Sequence, residues 1–388
     1  MEYRNWMRIY PGDESQFPSI KKEIDALNDR NYRVFGLTNE RILASAKDKT
    51  KIQTIQKRRK AEFDNGWYCI YTDNIEHKDK FIYDLVILTV HGNPGDEKEW
   101  LSLEDAYQNK GRFINFVVPG YDGEPIERGS FNANWSDVCK MIVLLLDKLQ
   151  IPKIIYCGHS MGGLLMYNFC TTFPERVEGC IFMAAPPNAM YIGLTVFDSI
   201  VRIFAQEKLK GDLSLLADSK FRADLVKEFN EMTRDIYFQI DNERKTTFPI
   251  LRDSELCTWI KMLDEKKPWE HLNKLKDMPA KLSLLMFARN DPLVHNENYY
   301  ITFHDILRRS PIPAKDVGID KQFLAEVFGK DHIEDFPENL QELFMIIFEK
   351  GGHQIHVRHG RILASVIEKY LKVMERVRKN QMELKPKL

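Results

Sequence analysis

Several features that would classify a chain of this size at once are missing from the sequence. No apolar run is long enough to span a bilayer, and the first residues, Met-Glu-Tyr-Arg-Asn-Trp, lack the apolar core of a signal peptide. The charges nearly cancel, with 56 Lys and Arg against 57 Asp and Glu, so no strong field would attract nucleic acid or an anionic membrane. We therefore expect a cytoplasmic protein with no transmembrane segment and no nucleic-acid partner. The sequence does not indicate its oligomeric state.

Paired cysteines and nucleotide-binding patterns are also lacking. The six cysteines show no CxxC spacing, and several lie inside apolar runs, which is typical of buried free thiols in a reducing compartment. The His and Cys spacings match no zinc motif, and there is no GxGxxG segment or phosphate loop. We therefore expect no metal and no cofactor.

The first part of the chain differs in texture from the rest. Residues 1–60 are highly charged and end in a basic cluster, Lys47–Lys60. This cluster is either a patch for localisation or for binding an anionic surface, or simply the solvated face of a helix or loop. We interpret residues 1–60 as an extension that precedes the core.

From residue 61, short apolar runs alternate with longer amphipathic stretches, a pattern typical of βα units around a mostly parallel sheet. The runs are continuous rather than alternating, as expected for strands buried on both faces. They cover residues 85–90, 113–118, 154–157, 180–183, 282–287 and 343–348. Apolar residues at helical spacing predict a crossover helix from Asp137 to Gln150. The fold class is therefore α/β, with a mostly parallel central sheet flanked by helices.

Two stretches interrupt this rhythm. Residues 186–281 are rich in charge and in helical patterns such as Lys220–Phe238, which predicts a helical cap inserted between core segments 61–185 and 282–388. A shorter insertion is expected at about residues 310–340, because Pro311 and Pro313 break the preceding helical pattern.

The segment 158–163, Gly-His-Ser-Met-Gly-Gly, carries the strongest chemical signal. It follows a predicted strand and precedes a predicted helix, so Ser160 would lie on a strained turn with its hydroxyl exposed at the carboxyl edge of the sheet. Gly158 and Gly162 leave room for this turn, because side chains there would collide with neighbouring backbone. The N–H of Met161 would point to where a developing oxyanion lies.

This segment resembles the nucleophile elbow of the α/β-hydrolase fold, and Ser160 takes the place of the nucleophile. The resemblance implies an oxyanion loop after an early strand, and residues 91–95, His-Gly-Asn-Pro-Gly, resemble that loop. The N–H of Asn93 would be the second oxyanion donor, with His91 and Gly92 supporting the loop. An ordinary glycine turn is the alternative interpretation of this stretch.

The same resemblance implies that an acid and then a histidine follow the nucleophile along the chain. Asp291 follows the predicted strand 282–287 and is the candidate acid, although the family usually has Gly where Ala288 stands. Asp331 or Asp335 in the second insertion is the alternative acid, because the stretch from Asp291 to the candidate histidine is longer than the family usually shows.

His353 follows the last predicted strand and two glycines, as the family's final catalytic position does. His356 and His359 are nearby rivals without that setting. The resemblance therefore implies a triad of Ser160, Asp291 and His353.

The type of reaction follows from the nucleophile. The loop 91–95 also resembles that of epoxide hydrolases and haloalkane dehalogenases, which carry Asp where this chain has Ser160. The Gly-His-Ser-Met-Gly-Gly form resembles lipases, esterases and thioesterases. The resemblance therefore implies a serine hydrolase that cleaves a carboxylic ester, including a lipid ester or a thioester, through an acyl-enzyme. Its partner would be a small-molecule ester.

Two other classes of function stay open. One is a catalytically weak hydrolase-fold protein that binds a ligand or another protein, and the other is an acyltransferase. An apolar stripe in the predicted cap either favours a lipophilic acyl group or packs in the core. It comprises Tyr191, Leu194, Phe197, Ile200 and Ile203.

Overall fold

The computed structural model describes most of the chain beyond residue 56. The described residues are 57–185, 196–234, 237–241, 244–247, 250–264, 281–288, 291, 312–328, 339–348 and 351–384. Some predictions therefore lie outside them: residues 1–56, Tyr191 and Leu194 of the stripe, and the alternative acids Asp331 and Asp335.

Within the described ranges, eight strands form one sheet and two more form a separate hairpin. The strands are β1 (Arg59–Glu62), β2 (Tyr68–Asp73), β3 (Val86–Val90), β4 (Arg112–Val117), β5 (Ile154–His159), β6 (Val177–Met183), β7 (Tyr237–Asp241), β8 (Arg244–Thr247), β9 (Leu282–Ala288) and β10 (Met345–Phe348). The sheet order is β1-β2-β4-β3-β5-β6-β9-β10, and β7 pairs with β8. From β4 to β10 every pairing is parallel, whereas β2 is antiparallel to both β1 and β4.

Helices connect and cover these strands. The α-helices among the described residues are α1 (Leu101–Tyr107), α2 (Trp135–Lys148), α3 (Met161–Thr172), α4 (Val196–Leu209), α5 (Ser219–Thr233), α6 (Asp253–Asp264), α7 (Lys321–Phe328), α8 (Ile355–Arg358) and α9 (Gly360–Leu384). Short 3-10 helices span Ile75–Lys80, Glu97–Trp100, Pro174–Arg176, Leu213–Ala217, Ala314–Val317 and Leu340–Phe344. No helix in the described ranges is both long enough and apolar enough to cross a membrane.

The sheet is buried on both faces, which explains its continuous apolar runs. Neighbouring residues of β3 point to opposite faces: Leu88 joins one apolar cluster with α2 and α3, and Ile87 joins a second one with α1 and α9. The predicted α/β class, with a mostly parallel sheet flanked by helices, is confirmed. All six cysteines are buried and are present as thiols.

The sheet begins earlier than its apolar pattern suggests. Strand β1 starts at Arg59, so the basic end of the predicted extension already belongs to the sheet. Neighbouring Arg58 forms an ion pair with Glu97, with Arg58 Nε 2.7 Å from Glu97 Oε1. The apolar runs did not predict the antiparallel strands β1 and β2. Strand β1 is charged and lies at the sheet's edge, where most of its side chains remain at least partly exposed.

The stretch predicted as a purely helical cap also contains the β7–β8 hairpin, so the prediction of helix over Lys220–Phe238 is wrong at its end. Helix α5 ends at Thr233, and β7 begins at Tyr237. Of the predicted apolar stripe, Ile200 packs against the core while Ile203 is 53% exposed. The Phe197 side chain lies outside the described part of the chain.

Helix α6 fastens this inserted stretch to the loop that follows β4. Ser254 Oγ donates to the carbonyl of Gly120 at 2.8 Å, and Thr258 Oγ1 donates to that of Pro119 at 3.1 Å. Because β4 and β5 are parallel, the loop after β4 lies at the same edge of the sheet as Ser160. The inserted stretch therefore contacts the edge that carries the predicted nucleophile.

Candidate active site

Ser160 occupies a single-residue turn between a strand and a helix. Strand β5 ends at His159, helix α3 begins at Met161, and Ser160 between them has φ 49° and ψ −114°. Residues other than glycine rarely adopt this backbone conformation, and such strain is typical of catalytic nucleophiles. The Ser160 N–H donates to the carbonyl of Met183 at 3.1 Å, which helps to hold the turn against β6.

Two glycines make the tight turn possible, as the sequence predicts. A Cβ on Gly158 would lie 2.5 Å from the carbonyl oxygen of Gly162. A Cβ on Gly162 would collide with the carbonyl of Val90 at the end of β3. Any side chain at either position would therefore push helix α3 away from the sheet and move Ser160.

Three predicted residues from distant parts of the chain form one hydrogen-bonded series. His353 Nε2 is 2.8 Å from Ser160 Oγ, and His353 Nδ1 is 2.7 Å from Asp291 Oδ2. Because an ionised carboxylate can only accept, Nδ1 carries the proton and donates to Asp291, which leaves Nε2 to accept from the serine hydroxyl. The Asp291 side chain is fully buried and that of His353 is 7% exposed.

The rival residues take other places. His359 stacks on Phe348 with ring centroids 4.6 Å apart. His356 Nε2 lies 3.5 Å from a carboxylate oxygen of Glu99. Neither imidazole is hydrogen-bonded to Ser160.

The predicted oxyanion loop packs directly against Ser160. A Cβ on Gly92 would stand 3.1 Å from the Cβ of Ser160. The Asn93 side chain is anchored, because its Oδ1 accepts from the Tyr121 hydroxyl at 2.8 Å. Met161 is the first residue of α3, so its N–H has no acceptor inside the helix and is free to bind an anion.

His91 supports this loop as a buried brace. Its Nε2 accepts from the Val118 N–H at 3.0 Å, so the ring proton is on Nδ1, which donates to the carbonyl of Gly92 at 2.7 Å. Burial lowers the pKa of His91, which keeps the ring neutral in this role. The loop after β3 is thereby tied to the end of β4.

A second polar group, centred on Glu99, lies next to the series of Ser160, His353 and Asp291, and no sequence pattern indicated it. Glu99 Oε2 accepts from the Gly92 N–H at 3.0 Å and lies 3.0 Å from His159 Nδ1. His159 Nε2 lies 3.0 Å from the carbonyl oxygen of His353. Glu99 therefore connects the oxyanion loop, the elbow and the loop of His353. It belongs to a polar stretch without periodicity, so no pattern pointed to it.

Burial and neighbouring charge set the ionisation of this group. Burial by itself raises the pKa of Glu99, but the charge of His159 and its hydrogen bond outweigh that effect, and the pKa falls well below its usual range. Burial, followed by the charge of His159, lowers the pKa of His356 to about 4. Glu99 is therefore ionised and His356 neutral at pH 7.

Known proteins resemble parts of this chain. The family model described as alpha/beta hydrolase fold matches residues 86–318. The dihydrolipoyllysine-residue acetyltransferase component of an acetoin cleaving system from Pseudomonas putida is 31% identical over 101 residues, which are 26% of this chain and 26% of that protein. Bifunctional epoxide hydrolase 2 from Mus musculus is 37% identical over 49 residues, 13% of this chain and 9% of that protein.

A solved structure also shares the fold. A thermophilic esterase from Thermogutta terrifontis superposes with a TM-score of 0.50 at 13% identity, covering 82% of this chain and 99% of the esterase. The curated relatives are matched over only about a quarter and a tenth of their own lengths.

Proposed function

We propose that this chain, which belongs to the α/β-hydrolase fold family, is a serine hydrolase that cleaves a carboxylic ester through an acyl-enzyme. The hydrogen-bonded series from Ser160 through His353 to Asp291 carries this proposal. The strained backbone at Ser160 supports it as well, because the strain exposes the hydroxyl at the carboxyl edge of the sheet.

In the proposed reaction, His353 Nε2 takes the Ser160 proton while Oγ attacks the ester carbonyl carbon. The carbonyl oxygen becomes an oxyanion, which the N–H groups of Asn93 and Met161 bind. As the tetrahedral intermediate collapses, the carbon–oxygen bond to the alcohol breaks and His353 returns the proton to the leaving oxygen. Asp291 keeps the Nδ1–H tautomer throughout and stabilises the imidazolium.

Water completes the cycle. His353 removes a proton from a water molecule that attacks the carbonyl carbon of the acyl-enzyme. As the second tetrahedral intermediate collapses, the bond from that carbon to Ser160 Oγ breaks, His353 returns the proton to Oγ, and the acid is released. A thioester follows the same steps with sulfur as the leaving atom.

We further propose that residues 1–60 are an extension, that 61–185 with 282–388 form the core, and that 186–281 form a cap over the site. The bonds from Ser254 and Thr258 of α6 to the loop after β4 support the last point. Such a cap would shape the acyl and alcohol pockets, and we expect a lipophilic acyl group.

A fluorophosphonate probe, which labels activated serines, tests the nucleophile directly. We expect wild-type protein to be labelled and Ser160→Ala to be silent. Ser214→Ala, which removes an exposed hydroxyl, is the matched control and should label like wild type. Labelling of Ser160→Ala at the wild-type rate would refute the assignment.

A series of p-nitrophenyl esters of increasing chain length then tests the substrate class. We expect kcat/KM to rise with acyl length, and His353→Ala to lose activity at every length. A flat profile would argue against a lipophilic pocket. Slow turnover with tight retention of the ligand would instead favour a protein whose role is binding.

Acyl transfer is the second candidate, favoured by the similarity to a protein named as an acetyltransferase component. It shares the acyl-enzyme but passes the acyl group to an alcohol or thiol. Product analysis with competing acceptors separates the two, because a transferase gives mainly new ester or thioester when water is in large excess.

A further inference from the structure

The buried group around Glu99 contains contacts that neutral imidazoles do not satisfy. The His353 carbonyl can only accept, so His159 Nε2 must donate to it across 3.0 Å. In a neutral ring the proton is then absent from Nδ1, and this bare nitrogen lies 3.0 Å from Glu99 Oε2. Two acceptors face each other.

His356 meets the same carboxylate and is also unsatisfied. Its Nε2 lies 3.5 Å from Glu99 Oε2, and neither ring nitrogen has a hydrogen-bond partner among the described residues. The ring is fully buried, so water in the bulk solvent does not solvate it. An extra proton on His159 would relieve the contact with Glu99 but would leave His356 unpaired. A cation between the three groups would give Glu99 Oε2, His159 Nδ1 and His356 Nε2 a common partner.

We propose that Glu99, His159 and His356 bind one zinc ion. One ligand atom from each residue lies within 4.8 Å of the other two. A tetrahedral zinc ion with bonds of about 2.0–2.1 Å separates its ligand atoms by roughly 3.3 Å. The two contacts of Glu99 Oε2, at 3.0 and 3.5 Å, bracket that value. Two imidazoles and a carboxylate are a donor set that suits zinc and leave the fourth position to water.

The surroundings of the three ligands fit a metal site as well. A zinc-bound imidazole usually donates its other ring N–H to a carbonyl or carboxylate, as His159 does to His353. Ligating carboxylates usually accept further hydrogen bonds, as Glu99 does from the Gly92 N–H. The Glu99 side chain is 10% exposed, which gives the ion a route from solvent.

A zinc ion at this site would link three segments of the chain. Glu99 follows β3, His159 ends β5 and His356 follows β10, so the ion would join the oxyanion loop, the elbow and the loop of His353. The ligands are 60 and 197 residues apart along the chain, which is why a search for zinc spacings finds nothing. The site does not depend on the reaction that Ser160 performs.

The test is a calorimetric titration of chelator-treated full-length protein with Zn²⁺, paired with the visible spectrum of the Co²⁺ form. We expect one equivalent to bind wild type and Co²⁺ to give the intense absorption of tetrahedral coordination. Glu99→Gln and His356→Gln should each weaken binding more than about 100-fold, because losing even an outer partner of a metal site costs 10–100-fold.

Asp291→Asn is the matched control, because it also neutralises a buried carboxylate beside a histidine but removes no proposed ligand. It should bind Zn²⁺ like wild type, and far-UV circular dichroism establishes that each variant is folded. Absence of saturable one-to-one binding to wild type overturns the proposal. If folded Glu99→Gln and His356→Gln bind Zn²⁺ with the affinity of the wild type, the proposal is also overturned, since the ion would then bind elsewhere.

Discussion

Two buried carboxylates near the carboxyl edge of the sheet, those of Asp122 and Glu99, differ in the type of side chain that pairs with them. Asp122, in the loop after β4, pairs with Arg128, and both side chains are fully buried. Arg128 Nε and Nη1 donate to the carbonyls of Pro125 and Tyr68, each at 3.0 Å, so all three guanidinium nitrogens are used. Glu99 is instead surrounded by imidazoles.

The two kinds of partner differ in whether they can change protonation state or bind a metal. A guanidinium is always charged and only donates, so the Asp122–Arg128 pair has one state and acts as a fixed structural link. An imidazole can accept, donate or bind a metal, so the groups around Glu99 and Asp291 can exchange protons or ions. We therefore expect changes beside the histidines to alter chemistry, and changes at the arginine to alter stability.

The largest effect is expected from Asp291→Asn. An amide at this position can donate to His353 Nδ1 and stabilise the wrong tautomer, so kcat for ester hydrolysis should fall by roughly 10³–10⁴-fold. Steady-state kinetics measures the loss, and the midpoint of urea unfolding should move little. Nearly full activity of Asp291→Asn would indicate that the acid is Asp331 or Asp335 instead.

Arg128→Met should lower the free energy of unfolding. It leaves the carboxylate of Asp122 buried without a counter-charge, which costs about 3–5 kcal/mol of unfolding free energy. Urea unfolding is the measurement, and kcat of the fraction that stays folded should be near wild type.

The matched control for that variant is Arg59→Met. Arg59 pairs with Glu76 at the surface, where the two side chains are 38% and 46% exposed, so its loss should cost less than about 1 kcal/mol. Equal costs for the two variants would show that burial does not distinguish the pairs.

Tyr121→Phe should have a smaller effect on the chemistry. It removes the hydroxyl that donates to Asn93 Oδ1 at 2.8 Å and leaves the ring against His91. A hydrogen bond worth about 1 kcal/mol corresponds to a decrease in kcat of roughly fivefold. Tyr68→Phe removes a longer bond, 3.4 Å to the Pro125 carbonyl, and is the control. An unchanged kcat for Tyr121→Phe would mean that the Asn93 side chain does not set the position of the loop.

The smallest effect is expected when the native protein is treated with a reagent that reacts with thiols. Burial raises the pKa of Cys69 and Cys257 to about 12, so almost no thiolate is present at pH 8. Native protein should react slowly with a disulfide reagent such as Ellman's reagent, while denatured protein should release the full six equivalents. Rapid reaction of the native protein would mean that at least one thiol is accessible.

The sequence predicted the parallel core well because a strand buried on both faces must be apolar throughout. The six runs correspond to strands β3, β4, β5, β6, β9 and β10. It missed β1, whose residues Arg59 and Lys60 carry no apolar alternation, and it also missed β2 and the β7–β8 hairpin. Those elements are set by pairing with neighbours, which single-sequence patterns do not record.

By itself the sequence determined the elbow at Ser160, since only small residues at positions 158 and 162 fit between a strand and a helix, and this requirement is local. The family resemblance offered Asp291 and His353 as candidates, but only the tertiary structure brings them to that serine, because they lie 62 residues apart and come together when β9 and β10 pair in register. The tertiary structure also decided the cluster of Glu99, His159 and His356. Their proximity arises where parallel strands end at one edge of the sheet, and sequence spacing carries no trace of it.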